Sequence, residues 1–177
     1  MPNWACGSVS ITGTKSNVVS FVSRFIHDEG VETDQKHRFF ARSFTNDKKQ
    51  SVLDAVEEAF QEIPADAEYT FDLAVDFAWS AHSCLIDGYP QDNSQECITL
   101  SIACIADRVS VEITTEECGM CFTEYITCDK TGDLTSECED FQEYKCKNCG
   151  EVMSLSPSDD PEEAECFECE NLGFEPI

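Results

Sequence analysis

The chain has 177 residues, of which 41% are hydrophobic and 10% aromatic, a composition that supports a folded core and excludes a fully disordered chain. The 36 Asp and Glu residues outnumber 11 Lys and Arg, and the net charge of −25 argues against direct binding to nucleic acid. No stretch approaches the roughly 20 apolar residues of a membrane span. The first residues also lack the positive start and apolar run of a secretory signal, so we expect a cytoplasmic protein.

The first part of the chain predicts a strand, a helix and a second strand. Residues 8–12 alternate between apolar and polar side chains, which predicts a short strand. Ser16 is a typical helix cap and Gly30 a typical helix end. Residues 37–44 are rich in Phe and predict the second strand. The apolar side chains of the predicted helix recur at helical spacing and are Val18, Phe21, Val22, Phe25 and Ile26.

A second helix and a long strand follow. The helix is predicted to begin at Ser51 and to end at Pro64. Residues 69–79 then show the clearest two-residue period in the chain, with one apolar face and one face of small or acidic side chains. Residues 81–93 predict a loop. The inward side chains of the second helix are predicted to be Val52, Val56, Phe60 and Ile63.

The next part of the chain completes the predicted domain. Residues 94–107 fit both a helical and a strand period, and we predict a helix. Residues 109–113 and 122–128 predict two further strands. Residues 135–143 are acidic and carry no apolar period, which predicts a linker.

This order of elements predicts an α+β protein with an antiparallel sheet and helices on one face. A ferredoxin-like, split βαβ arrangement accommodates it over residues 1–134. The acidic linker 135–143 would then connect this domain to a small C-terminal zinc ribbon over residues 144–177, with residues 154–165 as its outer loop.

Four of the twelve cysteines form two C-x2-C motifs separated by sixteen residues, a spacing typical of zinc sites. Each tight turn aims two thiolates at a common point, and two turns complete a tetrahedron with Zn–S distances of about 2.3 Å. Four thiolates leave no coordination position for water, so we expect one structural Zn²⁺ per chain. Paired disulfides or iron–sulfur ligation are the alternatives. The predicted ligands are Cys146, Cys149, Cys166 and Cys169.

The other cysteines give weaker signals. Cys118 and Cys121 form a third C-x2-C motif, which we interpret as a turn between strands. The alternative is a second metal shared with Cys128 and Cys138, although the spacings fit no known template. The remaining four are interpreted as small buried hydrophobic residues and are Cys6, Cys84, Cys97 and Cys104.

No catalytic site is predicted. The chain has no Gly-rich phosphate loop, no HExxH motif and no nucleophile elbow. His82 and Cys84 are close in sequence, but adjacency does not establish the geometry of a nucleophile and its base. We therefore expect a protein that is not an enzyme.

The negative charge is concentrated in the last two-thirds of the chain. The net charge is +2 over residues 1–50, −11 over 51–100 and −16 over 101–177. Acidity of this kind often serves solubility alone. The alternative is a surface that presents carboxylates to a basic partner protein. The candidate contact residues are Asp72, Asp76, Glu137, Glu139, Asp140, Asp159, Asp160, Glu162 and Glu163.

Short segments resemble the YubB-like proteins of conjugative plasmids and phages. These segments are residues 1–4 (Met-Pro-Asn-Trp), residues 11–13 (Ile-Thr-Gly), Trp79, and Gly119-Met120 followed by Phe122. The resemblance implies a ferredoxin-like domain, a mobile-element origin and a cytoplasmic location, and it supplies no catalytic residues. The sequence departs from the family pattern in having Cys121 where the family has Gly, and in its cysteine-rich tail.

These observations favour a non-catalytic zinc protein that inhibits a host nucleic-acid-binding defence enzyme, of the anti-CRISPR or anti-restriction type. It would act by DNA mimicry or by blocking the site. The alternative is a zinc-ribbon adaptor between proteins whose acidity serves only solubility. A ribbon that binds nucleic acid is a weaker third hypothesis, because Lys145 and Lys147 lie among many Glu residues.

Overall fold

A computed structural model of the chain describes residues 3–25, 43–44, 49–86 and 99–177. It contains nine strands and four helices within these ranges. In chain order they are β1 (Trp4–Thr14), α1 (Lys15–Phe25), β2 (Ser43–Phe44), α2 (Lys49–Ala59), β3 (Glu68–Ala78), α3 (Ala81–Leu85), α4 (Leu100–Asp107), β4 (Ser110–Glu117), β5 (Phe122–Cys128), β6 (Leu134–Asp140), β7 (Gln142–Cys146), β8 (Val152–Leu155) and β9 (Phe174–Pro176).

The first six strands form one antiparallel sheet in the order β2-β3-β1-β4-β5-β6. The central strand β1 pairs with β3 along its whole length, from Trp4 opposite Ala78 to Thr14 opposite Glu68. On its other edge it pairs with β4. The α+β class is therefore confirmed. The long strand predicted over residues 69–79 is also confirmed up to Ala78, where β3 ends, whereas Trp79 has a left-handed φ of 73°.

One face of this sheet carries the hydrophobic core. Because side chains alternate along a strand, the odd-numbered positions of β1, β3 and β4 point to one side, where Val9 lies between Leu73 and Ile113. Helices α1, α2 and α4 contribute to the same core. The predicted helix faces are confirmed where the structure describes them, and the residues concerned are Val18, Phe21, Val22, Val52, Val56 and Phe60, all buried, with Ile63 packed against them.

Several predicted boundaries are wrong. Helix α1 begins at Lys15, so Ser16 lies within its first turn and hydrogen-bonds to the hydroxyl of Thr14. Helix α2 begins at Lys49 and ends before Pro64, at Ala59. Of the predicted helix over residues 94–107, residues 99–107 are described, and α4 begins at Leu100 with Thr99 as its N-cap residue.

Part of the loop predicted over residues 81–93 is the short helix α3. The hydroxyl of Ser80 accepts a hydrogen bond from the N–H of Ser83, so that Ser80 caps the helix. Three internal segments lie outside the described residues, namely 26–42, 45–48 and 87–98. They include the predicted helix end at Gly30 and most of the predicted strand over 37–44.

The predicted acidic linker over residues 135–143 does not exist as a linker. Residues 134–140 form strand β6, which pairs with β5 from Cys128 opposite Leu134 to Phe122 opposite Asp140. This edge strand is held by backbone pairing with β5. Its side chains are mostly exposed, so its sequence has no alternation of apolar and polar residues. Strand β7 follows after one residue, Phe141, so the chain passes directly from the large sheet into the ribbon.

The small sheet has the order β8-β7-β9 and forms the C-terminal ribbon. Its buried core consists of Cys146, Leu155, Cys166 and Phe174. The predicted outer loop over residues 154–165 begins later than predicted, because β8 extends to Leu155.

Two serines of the ribbon contact the large sheet, and one of them, Ser156, is buried. The hydroxyl of Ser156 donates a hydrogen bond to Glu116 of β4 and lies 3.3 Å from the hydroxyl of Thr123 of β5. The hydroxyl of Ser158 donates to the same carboxylate over 2.8 Å. These contacts fix the ribbon against the face of the sheet that the helices leave open.

Candidate metal centre and acidic face

The two predicted knuckles bring their four thiols together. The Sγ atoms of Cys146, Cys149, Cys166 and Cys169 all lie within 4.8 Å of one another. The Cys146–Cys169 separation is 3.7 Å and the Cys149–Cys166 separation is 3.6 Å. A tetrahedron with metal–sulfur distances of about 2.3 Å has edges of about 3.8 Å. Because a disulfide bond is about 2.0 Å long, paired disulfides do not fit these distances.

Both knuckles use the same backbone hydrogen bonds. The N–H of Cys146 donates to the carbonyl of Glu151, and the N–H of Cys166 donates to the carbonyl of Asn171. In each knuckle the residue after the second cysteine donates its N–H to the carbonyl of the first cysteine, over 3.0 Å in one and 2.8 Å in the other. The two turns therefore hold their thiols in equivalent positions.

The residue that closes each knuckle has a left-handed backbone conformation. Gly150 has a φ of 81° and Glu170 a φ of 55°. Glycine adopts the positive φ of Gly150 without the steric cost that a side chain incurs. Glu170 adopts the same conformation with a side chain, which costs roughly 1–2 kcal/mol.

Hydrogen bonds to the sulfur atoms favour the ionised, thiolate form of Cys146 and Cys169. The side chains of Asn148 and Asn171 lower the pKa of Cys169 to about 6. Backbone N–H groups, first that of Cys149, lower the pKa of Cys146. The backbone hydrogen bond with Glu151 lowers the pKa of Cys149, but burial and the neighbouring thiols outweigh it and raise the pKa to about 12. A bound divalent cation would supply the positive charge needed to ionise all four.

The donor set fits a soft or borderline metal ion. Four sulfur ligands in a tetrahedral arrangement are typical of zinc and iron–sulfur sites, and the two-knuckle spacing is typical of structural zinc. The site can hold a metal ion and is consistent with zinc. With four protein ligands it has no open position, so it suits a structural rather than a catalytic ion.

The other cysteines take different positions. In the described part of the chain, the C-terminal group is the one cluster with metal-ligand geometry. Cys118 and Cys121 lie in the predicted turn between β4 and β5, where buried Glu117 accepts the N–H groups of Gly119 and Met120.

The structure corrects one of the cysteines interpreted as buried. Cys84 and Cys104 are buried, but Cys6 is exposed on the open face of the sheet. Cys128 is also buried, and burial raises its pKa. Cys97 lies outside the described residues.

The open face of the large sheet is acidic. The register places Asp76, Cys6, Glu116, Thr123 and Glu139 side by side across five strands. Parallel rows on the same face add further carboxylates, and the strands contribute no Lys or Arg to it. Six carboxylates of this face, called the acidic sheet face below, are Asp72, Asp76, Glu112, Glu116, Glu137 and Glu139. Glu68, the first residue of β3, lies at the edge of the same face and forms an ion pair with Lys130.

Four of these six carboxylates are among the contact residues predicted from the sequence, namely Asp72, Asp76, Glu137 and Glu139. Glu112 and Glu116 are not among them, although the alternation of side chains along β4 places both on this face. Predicted Asp140 lies on the opposite face, because its position in β6 is offset by one residue from Glu139. The Ser10 hydroxyl donates a 2.5 Å hydrogen bond to Asp72, one of several cross-strand hydrogen bonds that order the acidic sheet face.

The predicted acidic residues of the ribbon have local partners. Asp159 accepts the N–H of Ser156 over 2.9 Å, and Asp160 accepts the N–H of Glu162 over 2.9 Å. Glu162 forms an ion pair with Lys147. Glu163 is exposed in the same loop. Three of these four carboxylates therefore have hydrogen-bond or ion-pair partners within the ribbon, where they stabilise the loop that contacts the sheet.

Comparisons of the chain with protein-family models, with curated proteins and with solved structures gave no match. No helix in the described ranges has the length and apolar character needed to cross a lipid bilayer.

Proposed function

We propose that this is a non-catalytic zinc protein whose acidic sheet face occupies the nucleic-acid site of a basic protein, such as a host defence nuclease. The observation that carries the proposal is the face itself, with six carboxylates on one side of five adjacent strands and no Lys or Arg from those strands. A surface of one sign attracts partners of the opposite sign and repels nucleic acid.

The dimensions of this face suit a site built for a polyanion. Strands lie about 4.8 Å apart, and side chains on one face repeat about every 6.8 Å along a strand. The six carboxylates therefore occupy an area of roughly 14 by 19 Å. B-DNA presents one charge per ~1.7 Å of its axis, and the acidic sheet face would compete for the same Lys and Arg side chains.

In this proposal the metal has a structural role. Zn²⁺ bound by four thiolates would fix the ribbon, and the Ser156 contact would hold the ribbon against one end of the acidic sheet face. A Zn²⁺ ion with four thiolates also carries a net charge of −2, which adds to the formal −25 of the chain.

We also propose that the first domain is a ferredoxin-like variant from a mobile element that acts in the host cytoplasm. The strand order supports the fold, since β1 and β2 flank β3, while β3 and β4 flank β1. In a split βαβ unit, two strands joined through a helix lie on either side of a third strand. Strands β1 and β2, joined through α1, would form one such unit around β3. Strands β3 and β4, joined through α3 and α4, would form the other around β1. The resemblance to YubB-like proteins supports the origin and the location.

A displacement assay tests the proposed function. The zinc-loaded chain is titrated into complexes of a labelled DNA duplex with each member of a panel of purified nucleases and basic DNA-binding proteins. We expect it to displace DNA from at least one member, with an affinity that falls as salt rises. No displacement up to about 100 µM, the weak end of non-specific DNA affinity, would contradict the proposal.

A matched pair of variants separates the acidic sheet face from total charge. E112Q/E137Q/E139Q removes three exposed charges from this face, and E58Q/E62Q/D66N removes three exposed charges from α2 and the turn after it. Three surface ion pairs at ~0.2–1 kcal/mol each predict a roughly three- to 150-fold loss for the first variant. The second should displace DNA like the native chain. Displacement that survives E112Q/E137Q/E139Q but is lost in Cys166→Ser would favour the adaptor hypothesis.

A further inference from the structure

An aromatic side chain projects from the second metal knuckle. Phe167 lies between the ligands Cys166 and Cys169 and is 86% exposed. Leu172, on the same hairpin, is 62% exposed and pairs with Glu165 through an isolated bridge. Single exposed apolar residues are common, but a nearly fully exposed Phe on a short, ordered turn is a candidate anchor for a partner.

The metal site does not require this phenylalanine. The first knuckle has the same backbone hydrogen bonds with Lys147 at the equivalent position. The ring also lies outside the ribbon core of Cys146, Leu155, Cys166 and Phe174. Its presence at position 167 therefore has no explanation in the folding of the ribbon.

The knuckle would hold the ring in a fixed position. The N–H of Cys166 donates to Asn171, and the Asn171 side chain donates to the carbonyl of Cys169 over 2.8 Å. A bound metal would add one metal–sulfur bond on each side of the ring, through Cys166 and Cys169. A preorganised aromatic side chain loses little conformational freedom on binding, which is the property of interface anchors.

The charges around the ring define the partner. Glu165, Glu168 and Glu170 are all exposed on the same hairpin, and residues 165–172 contain no Lys or Arg. Stacking on a nucleobase would bring these carboxylates close to phosphates, and an anionic membrane surface would repel them in the same way. A protein pocket with an apolar floor and a basic rim matches both the ring and its neighbours.

We propose that hairpin 165–172 is a second contact surface, which inserts Phe167 into an apolar pocket bordered by Lys or Arg on a partner protein. The choice of a basic partner rests on the proposed function, but the contact is separate from the acidic sheet face. The apolar anchor supplies affinity, and the three glutamates select the basic rim.

Two synthetic helical peptides test this inference with the zinc-loaded chain. One presents a Leu stripe bordered by Lys, and the other has Gln in place of Leu at the same charge. Burial of a Phe side chain predicts about ten- to hundredfold weaker binding of the Leu/Lys peptide by Phe167→Ala. The Gln/Lys peptide should bind both forms equally, and Phe167→Leu should retain most of the affinity. Ile177→Ala, which removes another exposed apolar side chain, serves as the control.

Zinc content measured on every variant shows whether the knuckle is intact. The inference is overturned if zinc-loaded Phe167→Ala binds the Leu/Lys peptide like the native chain, or if Phe167 instead supports binding of an oligothymidylate strand. It fails equally if Phe167→Leu and Phe167→Ala lose the same affinity. In the E112Q/E137Q/E139Q background, Phe167→Ala should still weaken binding of the Leu/Lys peptide. Failure of the DNA-displacement assay and failure of this inference can therefore be told apart.

Discussion

Replacing one ligand, Cys166→Ser, should unfold the ribbon while the large sheet persists. The buried core of the ribbon contains two side chains that are not ligands, Leu155 and Phe174. Burial of each contributes about 1.5–3 kcal/mol, whereas structural zinc contributes about 10–16 kcal/mol in small zinc modules. A bound zinc ion would therefore supply most of the stability of residues 144–177, and three thiolates should hold it too weakly to order the ribbon.

Hydrogen exchange measured by mass spectrometry follows this directly. In Cys166→Ser, amides from 144 to 177 should lose protection, and those of β1, β3 and β4 should keep it. The β5 segment around Thr123 should exchange faster, because Ser156 no longer covers it. Cys118→Ser/Cys121→Ser is the matched control, since this C-x2-C motif lies outside the metal cluster. A protected tail in Cys166→Ser, or after chelation of the native chain, would refute the reasoning.

Three further predictions follow from backbone strain and charge. Glu170→Gly should stabilise the ribbon by up to about 1 kcal/mol by removing left-handed strain, and Gly150→Ala should destabilise it, as measured by melting of the zinc-loaded chain. The Thr131 hydroxyl and nearby N–H groups lower the folded-state pKa of Asp129, so its contribution to stability is present above about pH 4 and is lost as pH falls through the lowered pKa. Asp129→Asn should therefore lower the melting temperature at pH 7 and not at pH 2. Partial desolvation and the Asp76 carboxylate raise the pKa of Cys6 to about 11, so Asp76→Asn should speed alkylation of Cys6 at pH 8, measured by peptide mass spectrometry.

The sequence predicted the metal cluster because its geometry is local. Two residues between thiols and a glycine after Cys149 specify a turn with little help from the rest of the chain. Strand β3 was predictable for a related reason, since its apolar face alternates without interruption from Phe71 to Phe77. In both cases the pattern and the surroundings favour the same structure.

The errors lie where tertiary contacts determine the structure. Strand β6 has an acidic sequence whose strand conformation comes from pairing with β5. Helix α3 has five residues, too few for a helical period, and its cap at Ser80 was its one local signal. The placement of Asp140 away from Glu139 depends on strand register, which the sequence of an exposed edge strand does not specify.

X-ray absorption at the zinc edge, combined with metal analysis of the purified chain, tests the central claim most directly. We predict one zinc per chain with four sulfur neighbours at about 2.3 Å. A chain without zinc, or zinc with nitrogen or oxygen in its first shell, would contradict it.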